Sequence, residues 1–417
     1  MRLPLAKTSL AMGAIAALAL TLGACSSDSG SSQADSNEFT LAFQQLAGDE
    51  SYQNLVDAYM ADNPGQTITL KPIPLDGYAQ ALRTQLRAGS APDVFYVTSG
   101  EGSPHGAVAL ARDGVLEALP DEAAATLPPG AENGVSYDGK VYAQSFGNTV
   151  VGMITNDAVQ KNVPATLDQL KSSCAAVKAG GVTPLALAGA IPDNTALLAD
   201  LLAGTYVYAD EPDWNDKRAA GDTTFADTPG WRDALQAIVD LNDAGCFQEG
   251  AAGAGFEALS PTVASGASAA FFAPGSSART LAANNAGLAV SMNALPGQKS
   301  GEGSLIYSAS DLLAVNKATK NQAAIDTFLT WLRDPANAVK IATITGNLPF
   351  GTNWTASDVN PLYAPVVDQV LAGKTFPLPN TAWASGDVYR NLGIGVQGLL
   401  TGQATIDQVL KSMDDAW

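Results

Sequence analysis

Strand and helix patterns alternate along residues 39–98, and this alternation constrains the fold more than any other feature of the chain. Residues 39–46 (FTLAFQQL), 66–75 and 93–98 (DVFYVT) have the pattern of strands. Residues 51–62 and 77–88, which lie between them, repeat apolar side chains at helical spacing. Because parallel strands need long crossover connections, the order β-α-β-α-β predicts an α/β fold with a mainly parallel sheet flanked by helices.

The rest of the chain continues this mixture of elements. Residues 139–156 look like two extended pieces separated by a Gly-Asn break, and short strands are predicted at 269–272, 287–292 and 312–315. Helices are predicted at 167–178 and 231–244 and from residue 321 onward. Breaks rich in Gly, Asn and Ser fall at 146–148, 296–303 and 345–349. Three such breaks with structured segments between them indicate two lobes joined by several chain crossings.

The N-terminus is typical of an exported protein. Arg2 and Lys7 precede an apolar run over residues 10–22, as in a secretory signal peptide. The run is short for a membrane span, although an N-terminal anchor helix is the alternative. Residues 22–25 (LGAC) resemble the lipobox of bacterial lipoproteins, which predicts a signal peptide over 1–24 and lipidation of Cys25. The small and polar residues that follow predict a lipid-anchored flexible tether over 25–37.

Charge and cysteine content narrow the function classes. The chain has 22 Lys and Arg against 41 Asp and Glu, a net charge of −19, which disfavours nucleic acid and anionic lipid as partners. In an exported domain the pair Cys174 and Cys246 favours a disulfide, the alternative being two unrelated buried thiols. His105 is the only histidine, so neither a His-based metal site nor a Ser-His-Asp triad is expected. We therefore expect no catalytic residues, metal or cofactor.

Four segments of the chain resemble those of a known family. They are 91–96 (APDVFY), 139–142 (GKVY) followed by 154–157 (ITND), 321–332 followed by 346–349 (GNLP), and 401–410 (TGQATIDQVL). In this order they are similar to the maltose-binding-protein-like (family 1) extracellular solute-binding proteins of ABC importers, here of the lipoprotein type. Leu167 departs from the family pattern, which usually has Trp at that position.

The resemblance implies a two-lobed periplasmic-binding-protein fold (type II), each lobe a mainly parallel sheet flanked by helices, with a cleft between the lobes. The first lobe would comprise residues 38–147 plus 300–345, and the second 148–299 plus 346–417. It also implies a monomer that closes around a solute and then docks on a transmembrane permease. The protein would be lipid-anchored on the extracellular face of the cytoplasmic membrane. Its high Ala and Gly content suggests a high-GC Gram-positive bacterium.

Candidate ligand-binding residues follow from the rule that open α/β sheets bind ligands beyond the carboxyl ends of their strands. Asp311 is added as a residue near the lobe junction, and the resemblance adds two aromatic residues of the C-terminal region. Each could instead be an ordinary loop, capping or core residue. The full set is Gln44, Gln45, Thr98, Ser99, Glu101, Asn148, Thr149, Ser276, Asp311, Trp383 and Tyr389.

These residues predict a carbohydrate-binding protein rather than an enzyme. Amides, hydroxyls and carboxylates suit sugar hydroxyls, which both donate and accept hydrogen bonds. The low aromatic content and the absence of an aromatic residue near Ser276 suggest a smaller or less stacked ligand than a long maltodextrin. The same fold could instead bind a polyamine, with Glu101 and Asp311 as its carboxylates, or another small polar solute. An exported glycan hydrolase is a further alternative, although no nucleophile elbow, zinc motif or paired acidic motif supports it.

Overall fold

The computed structural model describes residues 37–45, 50–74 and 77–417. The predicted signal peptide, most of the tether and Cys25 lie outside the described residues. Among the described residues, no helix is long and apolar enough to cross a membrane. The strands are β1 (Glu38–Gln45), β2 (Thr67–Pro74), β3 (Val94–Val97), β4 (Ser136–Tyr137), β5 (Lys140–Val141), β6 (Gln144–Asn156), β7 (Thr183–Ala186), β8 (Ser268–Pro274), β9 (Val290–Asn293) and β10 (Ile306–Val315).

Fourteen α-helices accompany these strands in the described part of the chain. They are α1 (Ser51–Asp62), α2 (Tyr78–Ala88), α3 (Ala107–Arg112), α4 (Leu167–Ala179), α5 (Pro192–Ala203), α6 (Trp214–Ala220), α7 (Pro229–Asp243), α8 (Leu259–Ala264), α9 (Gly275–Asn284), α10 (Gln322–Arg333), α11 (Ala338–Thr345), α12 (Val367–Leu371), α13 (Gly386–Thr401) and α14 (Ile406–Ala416).

One sheet runs through the molecule in the order β2-β1-β3-β10-β6-β8-β7, with β9 also paired to β6. The β2-β1-β3 and β7-β8 pairings at its two ends are parallel, as the β-α-β connections require. The long strands β6 and β10 are antiparallel to each other and to their other neighbours. These two strands therefore carry the chain from one end of the sheet to the other.

The crossing strands differ from their sequence-based predictions. The expected break at 147–148 is wrong, because β6 continues through Gly147 and Asn148 in register with Ser310 and Ala309. Strand β10 begins at Ile306, well before the predicted start at Leu312. Its stretch Ser308–Ser310 has no apolar alternation, yet all three residues pair with β6 and are therefore extended.

The first lobe has its own apolar core. Helix α1 buries Tyr52, Leu55, Val56 and Tyr59, which recur at the spacing of one helix face. Tyr59 meets Phe328 of α10 edge-on, with ring centroids 4.9 Å apart. The cluster draws its residues from Phe39 to Phe146 and from Leu312 to Ile341, so the first lobe is built from two separate parts of the chain.

Two further clusters form the second lobe, with residues from Val150 to Tyr307 and from Leu348 to Met413. Helix α7 contributes Trp231, Leu235 and Ile238 along one face. Cys174 of α4 and Cys246, which follows α7, form a disulfide with Cα atoms 4.9 Å apart. The bridge therefore fastens α4 to the segment after α7 inside this core.

These features confirm the predicted α/β class and the expected division into two lobes. The exact lobe boundaries stay a prediction. Residues Leu305, Ile306 and Tyr307, assigned to the first lobe from the sequence, pack in the second-lobe clusters.

Candidate functional site

A cavity of about 580 Å³ lies where the two lobes and the crossing strands meet. Three groups of described residues line it. The end of β3 and the loop after it supply Tyr96, Val97, Thr98, Ser99, Gly102 and Ser103, with Ser51 of α1. The crossing segments supply Thr149, Ser308, Ala309, Ser310, Asp311, Leu312, Thr345 and Asn347. The second lobe supplies Asp193, Pro274, Ser276, Arg279, Leu378, Asn380, Thr381, Gly386, Tyr389 and Arg390.

Asp311 is the charged group at the centre of the crossing. Its backbone has φ +51, which non-glycine residues seldom adopt. Its carboxylate accepts a hydrogen bond of 3.0 Å from Asn347 Nδ2. Burial raises the pKa of Tyr52 and Tyr96, and the nearby Asp311 charge raises both further. The two phenols therefore stay protonated beside an acceptor. Tyr96 lines the cavity together with Asp311, so this wall can exchange hydrogen bonds with a polar ligand.

The crossing segments pack too closely for extra side-chain atoms. A Cβ on Gly147 would lie 2.7 Å from Asn347 Cβ, closer than real contacts allow. Asn148 forms backbone hydrogen bonds with Leu348 in both directions, with N–O distances of 2.9 and 2.7 Å. The crossing segment 345–349 is thereby fixed against β6, and it holds Asn347 at the cavity wall.

The two lobes also touch directly beside the cavity. Gly102, in the loop after β3, faces Gly386 at the start of α13. A Cβ on Gly386 would lie 2.1 Å from the carbonyl oxygen of Gly102, and a Cβ on Gly100 would lie 2.3 Å from that of Thr381. Glycine at these positions permits the backbones of the two lobes to approach.

Six of the predicted ligand-binding residues lie on the cavity wall: Thr98, Ser99, Thr149, Ser276, Asp311 and Tyr389. Tyr389 is half-buried, and its hydroxyl donates a hydrogen bond of 3.1 Å to the carbonyl oxygen of Asp193. Burial raises the pKa of Tyr389, and the charges of Asp200 and Asp193 raise it further. Its ring thus lines the cavity while its hydroxyl is engaged elsewhere.

Trp383 requires a correction, because the structure places it in the second-lobe core. It is 2% exposed, and its ring meets Phe225 and Trp231 edge-on at centroid distances of 5.3 and 5.8 Å. Its indole N–H donates to Asn215 Oδ1 over 3.2 Å. A side chain so enclosed cannot flank a ligand from this position.

The other four predicted residues are not among the described residues that line the cavity. Glu101 forms an ion pair with Arg112, with 2.6 Å between oxygen and nitrogen. Asn148 is buried, and its amide donates to the hydroxyl of Tyr307 over 3.1 Å. Gln45 is exposed at the end of β1, and the Nε2 atom of Gln44 lies 3.4 Å from that of His105.

His105 is an uncharged side chain that packs behind the first-lobe wall of the cavity. Burial lowers its pKa to about 4, so the ring is neutral at physiological pH. Its Nδ1 atom lies 2.8 Å from Ser103 Oγ, and its ring packs edge-on against Tyr78. No group of three or more His, Cys, Asp or Glu side chains in the described part of the chain could hold a metal ion.

Sequence reasoning missed several cavity residues. Ser308 and Ser310 were overlooked because the polar start of β10 has no strand pattern. Asn347 lies within a break that the sequence had identified as a crossing, which was the available signal. Arg279 lies three residues after Ser276 on α9, so helical spacing alone would have placed it on the same face.

Solved structures share this architecture over nearly their whole length. A protein of Caldanaerobius polysaccharolyticus from work on xylan utilisation is 21% identical, with a TM-score of 0.73, covering 91% of this chain and 99% of that one. RafE in complex with raffinose is 18% identical, with a TM-score of 0.70 and coverages of 90% and 98%. A sugar transporter of Bacillus licheniformis in complex with stachyose is 20% identical, with a TM-score of 0.66 and coverages of 91% and 98%. At these identities the likeness establishes the fold.

A comparison of the sequence with family models shows the family to which the chain belongs. No curated protein is significantly similar to the chain. The family model for bacterial extracellular solute-binding proteins, however, matches residues 43–339, which is more than half of the chain. Members of this family, like the structural neighbours, are binding proteins rather than enzymes. With its two-lobed fold and interlobe cavity, the chain belongs to the bacterial extracellular solute-binding protein family.

Proposed function

We propose that this protein captures a sugar or oligosaccharide outside the cytoplasmic membrane and delivers it to the permease of an ABC importer. The observation that carries the proposal is a cavity whose walls present hydroxyl and amide groups from both lobes and both crossing strands. Such groups match the alternating donors and acceptors of a saccharide. Structural neighbours bound to raffinose and stachyose support the same class of ligand.

The charges of the cavity favour a saccharide over a polyamine. A polyamine site needs several carboxylates and no competing cations. Here Arg279 and Arg390 line the cavity together with Asp193 and Asp311, so the described charged residues balance. Glu101, the other carboxylate considered for a polyamine, is paired with Arg112.

Isothermal titration calorimetry tests the proposed ligand class. The purified protein is titrated with a panel of neutral and acidic oligosaccharides and with spermidine. We expect at least one oligosaccharide to bind, and spermidine not to bind. Binding of spermidine alone, or of no saccharide, would refute the proposal.

Removal of one hydroxyl from the cavity wall, compared with a matched control elsewhere in the sheet, tests the position of the binding site. Thr149→Val removes one hydroxyl from the crossing strand with little change of shape, so affinity should fall by about 1 kcal/mol, roughly fivefold. Thr183→Val in β7, outside the cavity, is the control and should leave affinity unchanged. Equal effects of both substitutions would place the binding site elsewhere.

Membrane anchoring is a separate part of the proposal. The N-terminal sequence supports cleavage after Ala24 and lipidation of Cys25, with the residues up to 37 as a tether. Cys25→Ala should release the protein into the medium or leave an uncleaved precursor, as measured by fractionation and mass spectrometry. A variant that remains processed and anchored like the parent would refute lipidation at this residue.

A further inference from the structure

Arg279 is a cavity-wall cation without an acidic partner. Four described arginines pair with carboxylates, namely Arg83, Arg112, Arg218 and Arg232, whereas the exposed Arg390 on the same cavity wall does not. Among the described residues Arg279 forms no ion pair, although the chain has nearly twice as many acidic as basic side chains. An unpaired guanidinium on the wall of a binding cavity is suited to an anionic group of the ligand.

The guanidinium of Arg279 is held in place and partly dehydrated. It packs across Gly346, where a Cβ would lie 2.1 Å from Arg279 Nη1. Its Nε atom is buried and has no hydrogen-bond partner among the described residues. The hydroxyl of Tyr363 donates to the carbonyl oxygen of the same Gly346 over 3.2 Å, so the phenol lies near the guanidinium. Burial raises the pKa of Tyr363, and the positive charge of Arg279 opposes that rise. A fixed and partly desolvated cation gains more from a counter-charge than a solvated one does.

Ser276 and the start of α9 extend this positive wall. Ser276 and Arg279 are three residues apart, so they share one face of the helix, and both line the cavity. The first turn of α9 contains no acidic residue, and no side chain caps it. The positive end of the helix dipole therefore adds to the Arg279 charge at the same place.

The two acidic side chains that line the cavity lie on other elements than α9. Asp311 lies at the crossing, where it accepts a hydrogen bond from Asn347. Asp193 lies in the first turn of α5, where the dipole of that helix favours its charge. The cavity thus has a positive wall at α9 and a negative group at the crossing. A singly charged planar carboxylate fits the arginine, whereas a phosphate dianion would be repelled more strongly by Asp311.

We propose that Ser276 and Arg279 bind the carboxylate of an acidic saccharide, such as a uronic acid residue, while the crossing strands bind its hydroxyl groups. This inference rests on the proposed saccharide-binding function and narrows its ligand class. Arg390, also on the second-lobe wall, adds positive charge but is exposed. Affinity for the carboxylate form should therefore depend on Arg279 and fall with increasing salt.

Calorimetry with matched ligands tests the inference. The protein is titrated with trigalacturonate, trimannuronate and triguluronate, each against its methyl ester, which keeps the sugar skeleton and removes the charge. We expect at least one acid to bind roughly ten- to a hundredfold more tightly than its ester. Arg279→Gln should lower the affinity for the acid to that of the ester and leave the ester unaffected. Arg87→Gln, an exposed arginine of α2 outside the cavity, should change neither.

The outcomes separate this inference from the proposed function. Binding of neutral oligosaccharides or methyl esters as tightly as acids would overturn the acidic-ligand inference and leave saccharide capture intact. A parallel loss of acid and ester affinity in Arg279→Gln would also overturn it. Failure of every saccharide, neutral or acidic, would overturn both. The acid–ester comparison on the unmodified protein remains decisive if Arg279→Gln does not fold.

Discussion

The contact between Gly102 and Gly386 predicts that one added methyl group will weaken ligand binding without unfolding the protein. Gly386 is the first residue of α13, and Gly102 belongs to the loop after β3. A Cβ on Gly386 would lie 2.1 Å from the carbonyl oxygen of Gly102, far inside van der Waals contact. The position of the Cβ is fixed by the backbone of residue 386 and the atom it meets is a backbone oxygen, so no side-chain rotation can relieve the clash.

The magnitude follows from the cost of overpacking. Forcing one extra carbon into a closely packed contact costs about 1–3 kcal/mol. The lobes can avoid this cost by moving apart, but the ligand must then supply the same free energy to hold them together. Affinity for Gly386→Ala should therefore fall by about 5- to 150-fold. Alanine is at least as favourable as glycine in a helix, so the melting temperature of the unliganded protein should change little.

Titration calorimetry and thermal unfolding together provide the assay, with the oligosaccharide that binds the unmodified protein most tightly. Gly253→Ala is the matched control, because no atom lies within 4 Å of its added Cβ. It should alter neither affinity nor melting temperature. Unchanged affinity for Gly386→Ala would show that this contact is absent from the ligand-bound form. A large loss of stability with unchanged affinity would make the contact a folding element instead.

Three further predictions concern the second lobe. Burial raises the pKa of Asp200, whose carboxylate oxygens have no hydrogen-bond partner among the described residues. As pH rises above the unfolded-state pKa near 3.9, only the unfolded state releases this proton. The free energy of unfolding therefore falls by about 1.4 kcal/mol per pH unit up to the folded-state pKa. In urea unfolding at several pH values, Asp200→Asn should remove this pH dependence, whereas the control Asp210→Asn, at an exposed residue, should retain it. Replacing Cys174 and Cys246 with Ala opens a bridge that spans 72 residues and should cost about 2–4 kcal/mol in denaturant unfolding, with ligand affinity retained; unchanged stability would contradict this. Tyr389→Phe removes the hydrogen bond to Asp193 and should lose about 1 kcal/mol of stability, but its ligand affinity in calorimetry should be unchanged. Tyr389→Ala also removes the ring and should bind the ligand at least roughly tenfold more weakly. Equal affinities of the two variants would exclude the ring from the site.

The sequence predicted elements well where one physical pattern dominated. Strand β3 is a short apolar run buried in the first-lobe core, and α1 shows a clear apolar face. Both signals reflect burial, which is what hydrophobic periodicity measures. The order of these elements was therefore readable from the chain.

The same patterns failed at the crossing strands. From the sequence, Gly147 suggests a turn. In the structure this position lies within β6 and requires glycine because Asn347 packs where a Cβ would lie. Residues Ser308 to Ser310 form a strand because they pair with β6, and together with Asp311 they line the cavity. Departures from local pattern thus coincide with the candidate site, where function rather than burial selects the residues.

Aromatic and charged residues of the site were harder to assign. Trp383 and Tyr389 are both aromatic residues of the same C-terminal region, yet one lies in the core and the other on the cavity wall. Their difference depends on contacts with Phe225 and Trp231, which are distant in sequence. Such contacts cannot be inferred from a single sequence.

Hydrogen exchange measured by mass spectrometry, with and without a saturating oligosaccharide, tests most directly whether the cavity between the lobes is the binding site. We expect slower exchange in peptides covering the loop after β3, the first half of β10 and the start of α13, because a ligand there would contact both lobes and the crossing strands. Peptides from the groove between α13 and α14, which is lined by Ile394 and Gln403, should exchange unchanged. Protection confined to that groove, or to one lobe alone, would contradict capture of a saccharide between the lobes.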